Sequence, residues 1–430
     1  MLDRNTQTST QLKPVDKVSI TQVEVIPLRI PFKIEFKIAS GGIRPGVELV
    51  IVRLHTDAGV VGIGETPAWR RQGSSETIAS LTSAIRDYFT PHVIGQSPFD
   101  IASIMAALDE EIWHSYYAQA AVADALYDLQ GKLLGVPCHQ LMGGKVRDKL
   151  GAGAVIGIKA DIGKMIADCE SFYDRGFRSF TIKIGNDPIK DAKAVQKVRE
   201  RFGEDLILRV DANAGLDYDS ALSVLKKIEP FDIDVAEQMV PQWDLEGMVD
   251  LAKRINIPLM ADECVASDHD LIEVIRRRAA TVVQTKIAKN GGMWNCRKLW
   301  IIAQAAGMRI FPGNHPGSSI VTAGVLQLAA SWPGELLEGP FAVGLHGLIA
   351  EDIVIEPLKL EGRYVHLPEG PGLGLELDED RIKHLRISTR RIGTDREISR
   401  TAGVIYGPPG LMVASSWPSL RDWAALSKLR

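Results

Sequence analysis

Five residues of this sequence combine the charges of metal ligands with those of proton carriers, and they recur at one interval. Lys183, Asp211, Glu237, Asp262 and Lys286 each close a short apolar run, and His315 and Glu338 close the next two. Successive members are roughly 25 residues apart, which is close to one strand–helix unit. If the runs are parallel strands, their ends meet at one rim around a central space. Asp211, Glu237 and Asp262 then stand on three consecutive strands. Carboxylates crowded in this way cannot all ionise cheaply without a counter-ion. A hard divalent cation meets that need: Mg²⁺ takes carboxylates, water and substrate oxygens, and Mn²⁺ is its ready substitute. Lys183 and Lys286 lie one strand before and one strand after the trio, so they should face each other across the cavity. Burial and a nearby dication both disfavour an ammonium, which lowers a lysine pKa toward that of a useful base.

This set of residues suits enolisation of a small carboxylate substrate. The metal polarises the carboxylate and stabilises the dianionic enediolate formed when the α-proton leaves. One lysine takes the proton. The other returns it on the opposite face, or stays as a cation beside the developing charge. Racemisation, epimerisation and β-elimination use this step, cycloisomerisation is the intramolecular reverse of β-elimination, and the residues leave the choice open.

The elements that would position these side chains are legible in the pattern. VSITQVEVIPLRI and VELVIVRLHTDAGVVGIGE carry β-branched residues between turn signals, with a hairpin turn at Asp57-Ala58-Gly59. Helical spacing then takes over. YYAQAAVADALYDLQGKLLG is the clearest helix, ended by Gly135 and Pro137. Strands followed by helices are α+β logic, and residues 18–150 are read as one such domain. From about 151 to 345 short runs alternate with amphipathic helices: AGAVIGI, SFTIKIG, LILRVDAN, DVAEQM, PLMADEC, TVVQTKIA, MRIFPGN and GELLEGP. Alternation implies a parallel sheet, and eight runs favour a closed α/β barrel over an open sheet. Residues 346–384 regain strand character and are expected to rejoin the first domain. Residues 385–430, a tail with several arginines, have no readable role.

Composition narrows the function classes. The 430 residues are 45% hydrophobic and 24% charged, ordinary values for a globular chain. The net charge of −4 argues against a nucleic-acid partner. No apolar stretch is long enough for a membrane span, and the polar first 17 residues do not read as a secretory signal. Four scattered cysteines without CxxC spacing argue against a disulfide framework or cysteine-bound zinc, so a reducing, cytoplasmic location is expected. No GxGxxG follows a strand, so a dinucleotide fingerprint is absent.

TIKIG, RVDAN, AEQ, ADE and KIAKNGG together resemble the muconate-lactonising subgroup of the enolase superfamily, over roughly residues 18–384. ALYDLQGKLLGVPCHQLMGG matches that family's capping-domain helix. The resemblance implies a (β/α)7β modified TIM barrel with an α+β capping domain formed by both chain ends. It implies Asp211, Glu237 and Asp262 as Mg²⁺ ligands, Lys183 and Lys286 as the acid/base pair, and Asn213 as a support behind Asp211. Capping loops near 32–48 and 66–74 would close the site, with Trp69, Arg70 and Arg71 as candidates to touch substrate. A homo-oligomer, often an octamer, goes with the family. Within it a muconate-type cycloisomerase ranks first, ahead of a racemase or epimerase of N-substituted amino acids and a hydroxy-acid dehydratase.

Three departures from the family pattern bear on the reaction. Thr181 stands where relatives carry the first lysine of Lys-x-Lys, on the same strand face as Lys183. FPGNHPGSS replaces a Met-Leu-Glu stretch, and LLEGPF lacks the Asp-x-Asp of dipeptide epimerases. His315 is read either as a hydrogen-bonded structural residue or as a substrate contact. Glu338 is read either as an acceptor on the site floor or as half of a structural pair. Strand alternation turns Glu263 away from the site, and Lys289 is expected at the rim, beyond its strand. A binding protein on a retained fold is the competing class; loss of turnover on removing the lysines separates the two.

Overall fold

β-Branched alternation in the first stretch builds an antiparallel sheet. Its strands are β1 (Ile20–Phe36), β2 (Arg44–Thr56) and β3 (Val61–Pro67), in that order. Val25 lies opposite Val52 and Leu28 opposite Leu49, which brings their apolar side chains together. Gly59 (φ 75°) closes the expected hairpin, its N–H donating to the Thr56 carbonyl at 3.1 Å. In the computed structural model the described residues are 17–36, 44–69, 76–185, 187–339 and 348–388. Arg70, Arg71 and the tail from 389 onward lie outside them.

The helix Tyr116–Leu134 crosses β3 and is buried on every side from Tyr117 to Gly131. It ends, as the sequence predicts, at Gly135 in the left-handed region. Glycine sets how closely it can lie. A Cβ on Gly64 would run into the Ala121 carbonyl oxygen and stand 2.8 Å from the Ala125 nitrogen. Both obstacles are backbone, so the helix itself would have to move. Gly64→Ala is therefore expected to cost about 2–3 kcal/mol in urea unfolding; an unchanged midpoint would show that the helix shifts freely.

The second sheet positions the chemistry. After β4 (Lys149–Gly151) come seven parallel strands: β5 (Ala154–Ile156), β6 (Ser179–Lys183), β7 (Ile207–Asp211), β8 (Val235–Glu237), β9 (Leu259–Ala261), β10 (Val282–Lys286) and β11 (Arg309–Gly313). They neighbour one another in chain order, and a helix follows each. The eighth run is no regular strand. Leu337 N–H donates to the Ile310 carbonyl at 2.9 Å, and the Gly339 carbonyl accepts from Gly153 at 2.9 Å. These bonds join the two edges of the curled sheet through an irregular segment, in the (β/α)7β pattern. Arg209 fastens it from within: its guanidinium donates to the Glu338 carbonyl at 2.6 Å and to Ser179 Oγ at 3.0 Å, and pairs with Asp234 at 2.9 Å.

The chain then returns. β12 (Leu360–Glu361) and β13 (Tyr364–His366) form a small antiparallel sheet with β4. Further bridges join Phe32 to Ile349 and Leu28 to Arg386, so the last described segment meets β1. No helix among the described residues is long and apolar enough to cross a membrane.

Candidate active site

The strand ends bring the acidic trio and the two lysines together. Lys183, Asp211 and Glu237 are the last residues of β6, β7 and β8, and the register sets Lys183 beside Asp211 and Asp211 beside Glu237. Asp262 follows the end of β9, and Lys286 ends β10. The three carboxylates are almost wholly buried. Lys183 Nζ pairs with Asp211 and Lys286 Nζ with Asp262. One lysine therefore flanks each end of the trio.

Charge at this site follows from crowding. Burial drives the Glu237 carboxyl well above its usual range, and Asp211 and Asp262 push the same way. Burial would also raise Asp262, but Lys286 and Lys289 overcome it and hold that carboxyl well below its ordinary value. Burial works against both ammonium groups, yet their acidic neighbours prevail. Asp211 and Glu237 raise Lys183; Asp262 and Glu263 raise Lys286. Within the chain the two lysines are thus the counter-ions of these carboxylates.

The donor set suits a hard cation. Three buried carboxylates lie on adjacent strands, and the middle one is destabilised as an anion by the other two. With Asp211 and Asp262 each engaged by a lysine, no three acidic, histidine or cysteine side chains among the described residues stand converged on a metal position.

A ring of buried polar groups fixes the trio. Asn213 Nδ2 donates to Asp211 Oδ2 at 3.0 Å and to Glu263 Oε1 at 3.3 Å, and its backbone N–H donates to Asp211 Oδ1 at 2.6 Å. Asn213 sits at φ 45°, the left-handed region that asparagine tolerates. It holds Asp211 through both its side chain and its backbone. Gln284 Nε2 donates to Glu237 at 3.1 Å. Gln238 Oε1 accepts from the Asp262 and Cys264 N–H groups at 3.1 and 3.2 Å. Thr181 is buried in β6, two residues before Lys183.

Two expectations fail here. Glu263 does not point away: it meets Asn213, and burial with the Asp262 charge pushes its carboxyl up to about 8. β9 ends at Ala261, so alternation no longer governs residue 263. Lys289 is not a rim residue either. It is 1% exposed, donates to the Val265 carbonyl at 2.7 Å and the Gln284 carbonyl at 3.3 Å, and lies 3.0 Å from Asp262 Oδ1. Lys289→Met would strip these acceptors of their donor, with an expected loss of about 3 kcal/mol in urea unfolding at neutral pH. A variant as stable as the parent would contradict this buried role.

The seventh strand carries His315 to the same rim, since the register places Gly313 beside Lys286. His315 stacks with Trp69 of the second capping loop, ring centres 4.7 Å apart, and with Tyr117 at 5.5 Å. Tyr117 Oη lies 3.5 Å from His315 Nε2. Glu76 steadies this wall by accepting from Ser115 Oγ at 2.9 Å and from the Tyr117 N–H at 3.1 Å. Tyr117 was hidden in the sequence inside an apolar helix. Glu338, by contrast, is not brought to the cluster. Its carboxylate lies 3.4 Å from Arg363, the residue before β13, and against Gly151 of β4. Arg70, the remaining candidate, is outside the described residues.

Comparison with known proteins agrees with this architecture. The family model for the mandelate racemase / muconate lactonizing enzyme N-terminal domain matches residues 17–143, and that for the enolase C-terminal domain-like family matches 164–381. A chloromuconate cycloisomerase of Cupriavidus pinatubonensis is 33% identical, over 80% of this chain and 92% of its own. An N-succinyl-L-Arg/Lys racemase of Bacillus cereus is 30% identical, over 86% and 98%. The crystal structure of the muconate lactonizing enzyme from Pseudomonas fluorescens, complexed with muconolactone, superposes with a TM-score of 0.81 at 31% identity, covering 86% of this chain and 99% of that one.

Proposed function

Since the chain belongs to the mandelate racemase/muconate lactonizing enzyme family of isomerases, we propose that it isomerises a small carboxylate through an enediolate whose α-carbon gains or loses a proton, as a cycloisomerase of the muconate type. One observation carries the shared step: two lysines, paired with Asp211 and Asp262, flank the acidic trio at its two ends. Asp211, Glu237 and Asp262 would hold Mg²⁺ or Mn²⁺, which when bound supplies positive charge for the substrate carboxylate as negative charge builds on it. Lys183 and Lys286 carry protons at Nζ. In cycloisomerisation one carboxylate of the substrate adds to the double bond conjugated with the other, and the lysine on the open face gives its Nζ proton to the α-carbon of the resulting enediolate. In racemisation that lysine, as a neutral amine, first takes the α-proton. In both cases its partner remains an ammonium beside the developing negative charge. Asn213, Glu263 and Lys289 keep the two carboxylate–lysine pairs in place. The Trp69–His315–Tyr117 wall covers the rim next to Lys286 and limits water and substrate shape.

The cycloisomerase reading is supported by the 33% identity to a chloromuconate cycloisomerase. Racemisation of N-substituted amino acids is the second reading. The 30% identity to an N-succinyl-L-Arg/Lys racemase over 98% of that enzyme favours it, as does a proton carrier at each end of the trio. One experiment separates them. The protein with Mg²⁺ is incubated in D₂O with cis,cis-muconate and, separately, with N-succinyl amino acids. Loss of the diene absorbance is expected with muconate. Deuterium at the α-carbon of the amino acids, with muconate untouched, would replace the first reading by the second. Silence with every carboxylate, while the protein still binds Mg²⁺, would count against both.

A further inference from the structure

KIAKNGG runs from the end of β10 into the next helix, and the chemistry above gives its asparagine no part. Asn290 is 1% exposed and stands where the sheet gives out. β9 ends at Ala261, which pairs with Val283, so no β9 residue lies beside Lys286. Backbone groups at a buried strand end still need partners. Asn290 supplies both for Lys286. Its backbone N–H donates to the Lys286 carbonyl at 3.0 Å, and its Oδ1 accepts from the Lys286 N–H at 2.9 Å. The other half of the amide reaches across the gap: Nδ2 donates to the Val265 and Ala266 carbonyls, each at 3.0 Å. Those carbonyls belong to the segment that continues from Asp262. An amide has two donors and an acceptor, and here all of them are used. Gly291 and Gly292, at φ 80° and 84°, then turn the chain into the helix Gly292–Ala305.

One side chain therefore ties the backbone of Lys286 to the segment that follows Asp262, the acid with which Lys286 pairs. The other lysine is held differently. β7 runs the full length of β6 beside it, and Lys183 pairs with Asp211 within the sheet. The two proton carriers thus have separate supports, and only one of them depends on a side chain. We propose that Asn290 is a positioning residue for Lys286: it takes the place of the missing strand and fixes where that Nζ meets substrate, without acting on Lys183. The inference rests on the reading of both lysines as proton carriers and narrows it to the Lys286 face of the site.

Two measurements on the full chain test this. Amide hydrogen exchange reads the brace without any substrate: in Asn290→Ala the Lys286 amide should exchange about tenfold faster or more, with the Val282 amide unchanged. Proton exchange in D₂O with Mg²⁺ reads the chemistry. With N-succinyl amino acids of either hand, Lys286→Met marks the enantiomer whose proton Lys286 carries. Asn290→Ala should slow exchange of that enantiomer by about 10–10²-fold, the effect of a misplacement of about 1 Å, and leave the other as in the parent. With muconate the loss should fall on kcat rather than KM, and adding Asn290→Ala to Lys286→Met should cost nothing further. If the alanine variant does not fold, Asn290→Ser keeps a small polar group and should show the same one-sided pattern. An equal loss for both hands, or a further loss in the Lys286→Met background, would make Asn290 a general support of the fold and overturn the inference. An unchanged Lys286 amide would overturn it as well. A parent silent with both substrates, or a Lys286→Met variant with full turnover, would instead sink the reading of the lysines themselves, and the inference with it.

Discussion

Replacing Lys183 or Lys286 by methionine should lower turnover by about 10³-fold or more while leaving a folded protein that still binds a divalent cation. The size follows from the role: a positioned general base contributes about 10²–10⁴-fold, and here the same side chain also carries charge. The direction for the metal follows from the geometry. Each lysine neutralises one carboxylate of the trio, Lys183 at Asp211 and Lys286 at Asp262. Removing an ammonium strips that carboxylate of its internal counter-ion and makes an external cation more welcome. Titration with Mn²⁺ should therefore show affinity equal to or tighter than the parent's, alongside lost turnover. Exchange in D₂O gives the finer result. If the protein racemises, each single variant should still exchange the α-proton of one enantiomer and not the other. If it cycloisomerises, one lysine variant should abolish proton transfer and the other should act through charge alone. Full activity in both variants would remove the lysines from the chemistry and favour a binding role on this fold.

These five residues were legible because they repeat with the fold's own unit. An interval of one strand and one helix needs no knowledge of side-chain packing, so it survives in the sequence. What was lost lies where that unit breaks. Glu263 was assigned by the alternation of a strand that stops two residues earlier, at Ala261. Lys289 was placed beyond β10, and there the backbone folds back so that its ammonium reaches the Val265 and Gln284 carbonyls. Glu338 was left between a site-floor acceptor and half of a structural pair; its segment is irregular, and its carboxylate meets Arg363, the second of these. Tyr117 could not be found at all, because in a helix buried on all sides an aromatic that faces His315 looks like any core residue.

Stability of this protein should fall as pH rises from about 4.5 to about 7, the reverse of ordinary acid unfolding, and two buried carboxyls outside the catalytic cluster should account for much of the slope. Asp124, on the helix Tyr116–Leu134, is 2% exposed and accepts from the Met293 N–H at 2.8 Å. Glu65, on β3, is 1% exposed and accepts from the Ser318 N–H at 2.9 Å and from Ser318 Oγ. Burial pushes each carboxyl up to about 7, more than these hydrogen bonds pull it down. The folded state therefore holds protons that the unfolded chain releases near pH 4. Stability from such a group is complete below the unfolded pKa and is lost as pH climbs through the folded one, on the order of 3 kcal/mol for each group. Asp124→Asn and Glu65→Gln keep an acceptor for Met293 and Ser318 but remove the proton equilibrium. Combined, they should flatten the profile, leaving the melting temperature near pH 4.5 almost unchanged and raising it by several degrees at pH 8. Both carboxyls also tie the cap to the barrel, Asp124 at the start of the helix Gly292–Ala305 and Glu65 at the start of the helix Ser319–Ala330. Deprotonation places a buried charge at each of these contacts, beside the elements that hold Tyr117 and Trp69 over His315. If turnover needs that wall, the parent should lose kcat/KM above pH 7 more steeply than the double variant. A parallel loss in both would place the pH dependence in the lysines alone.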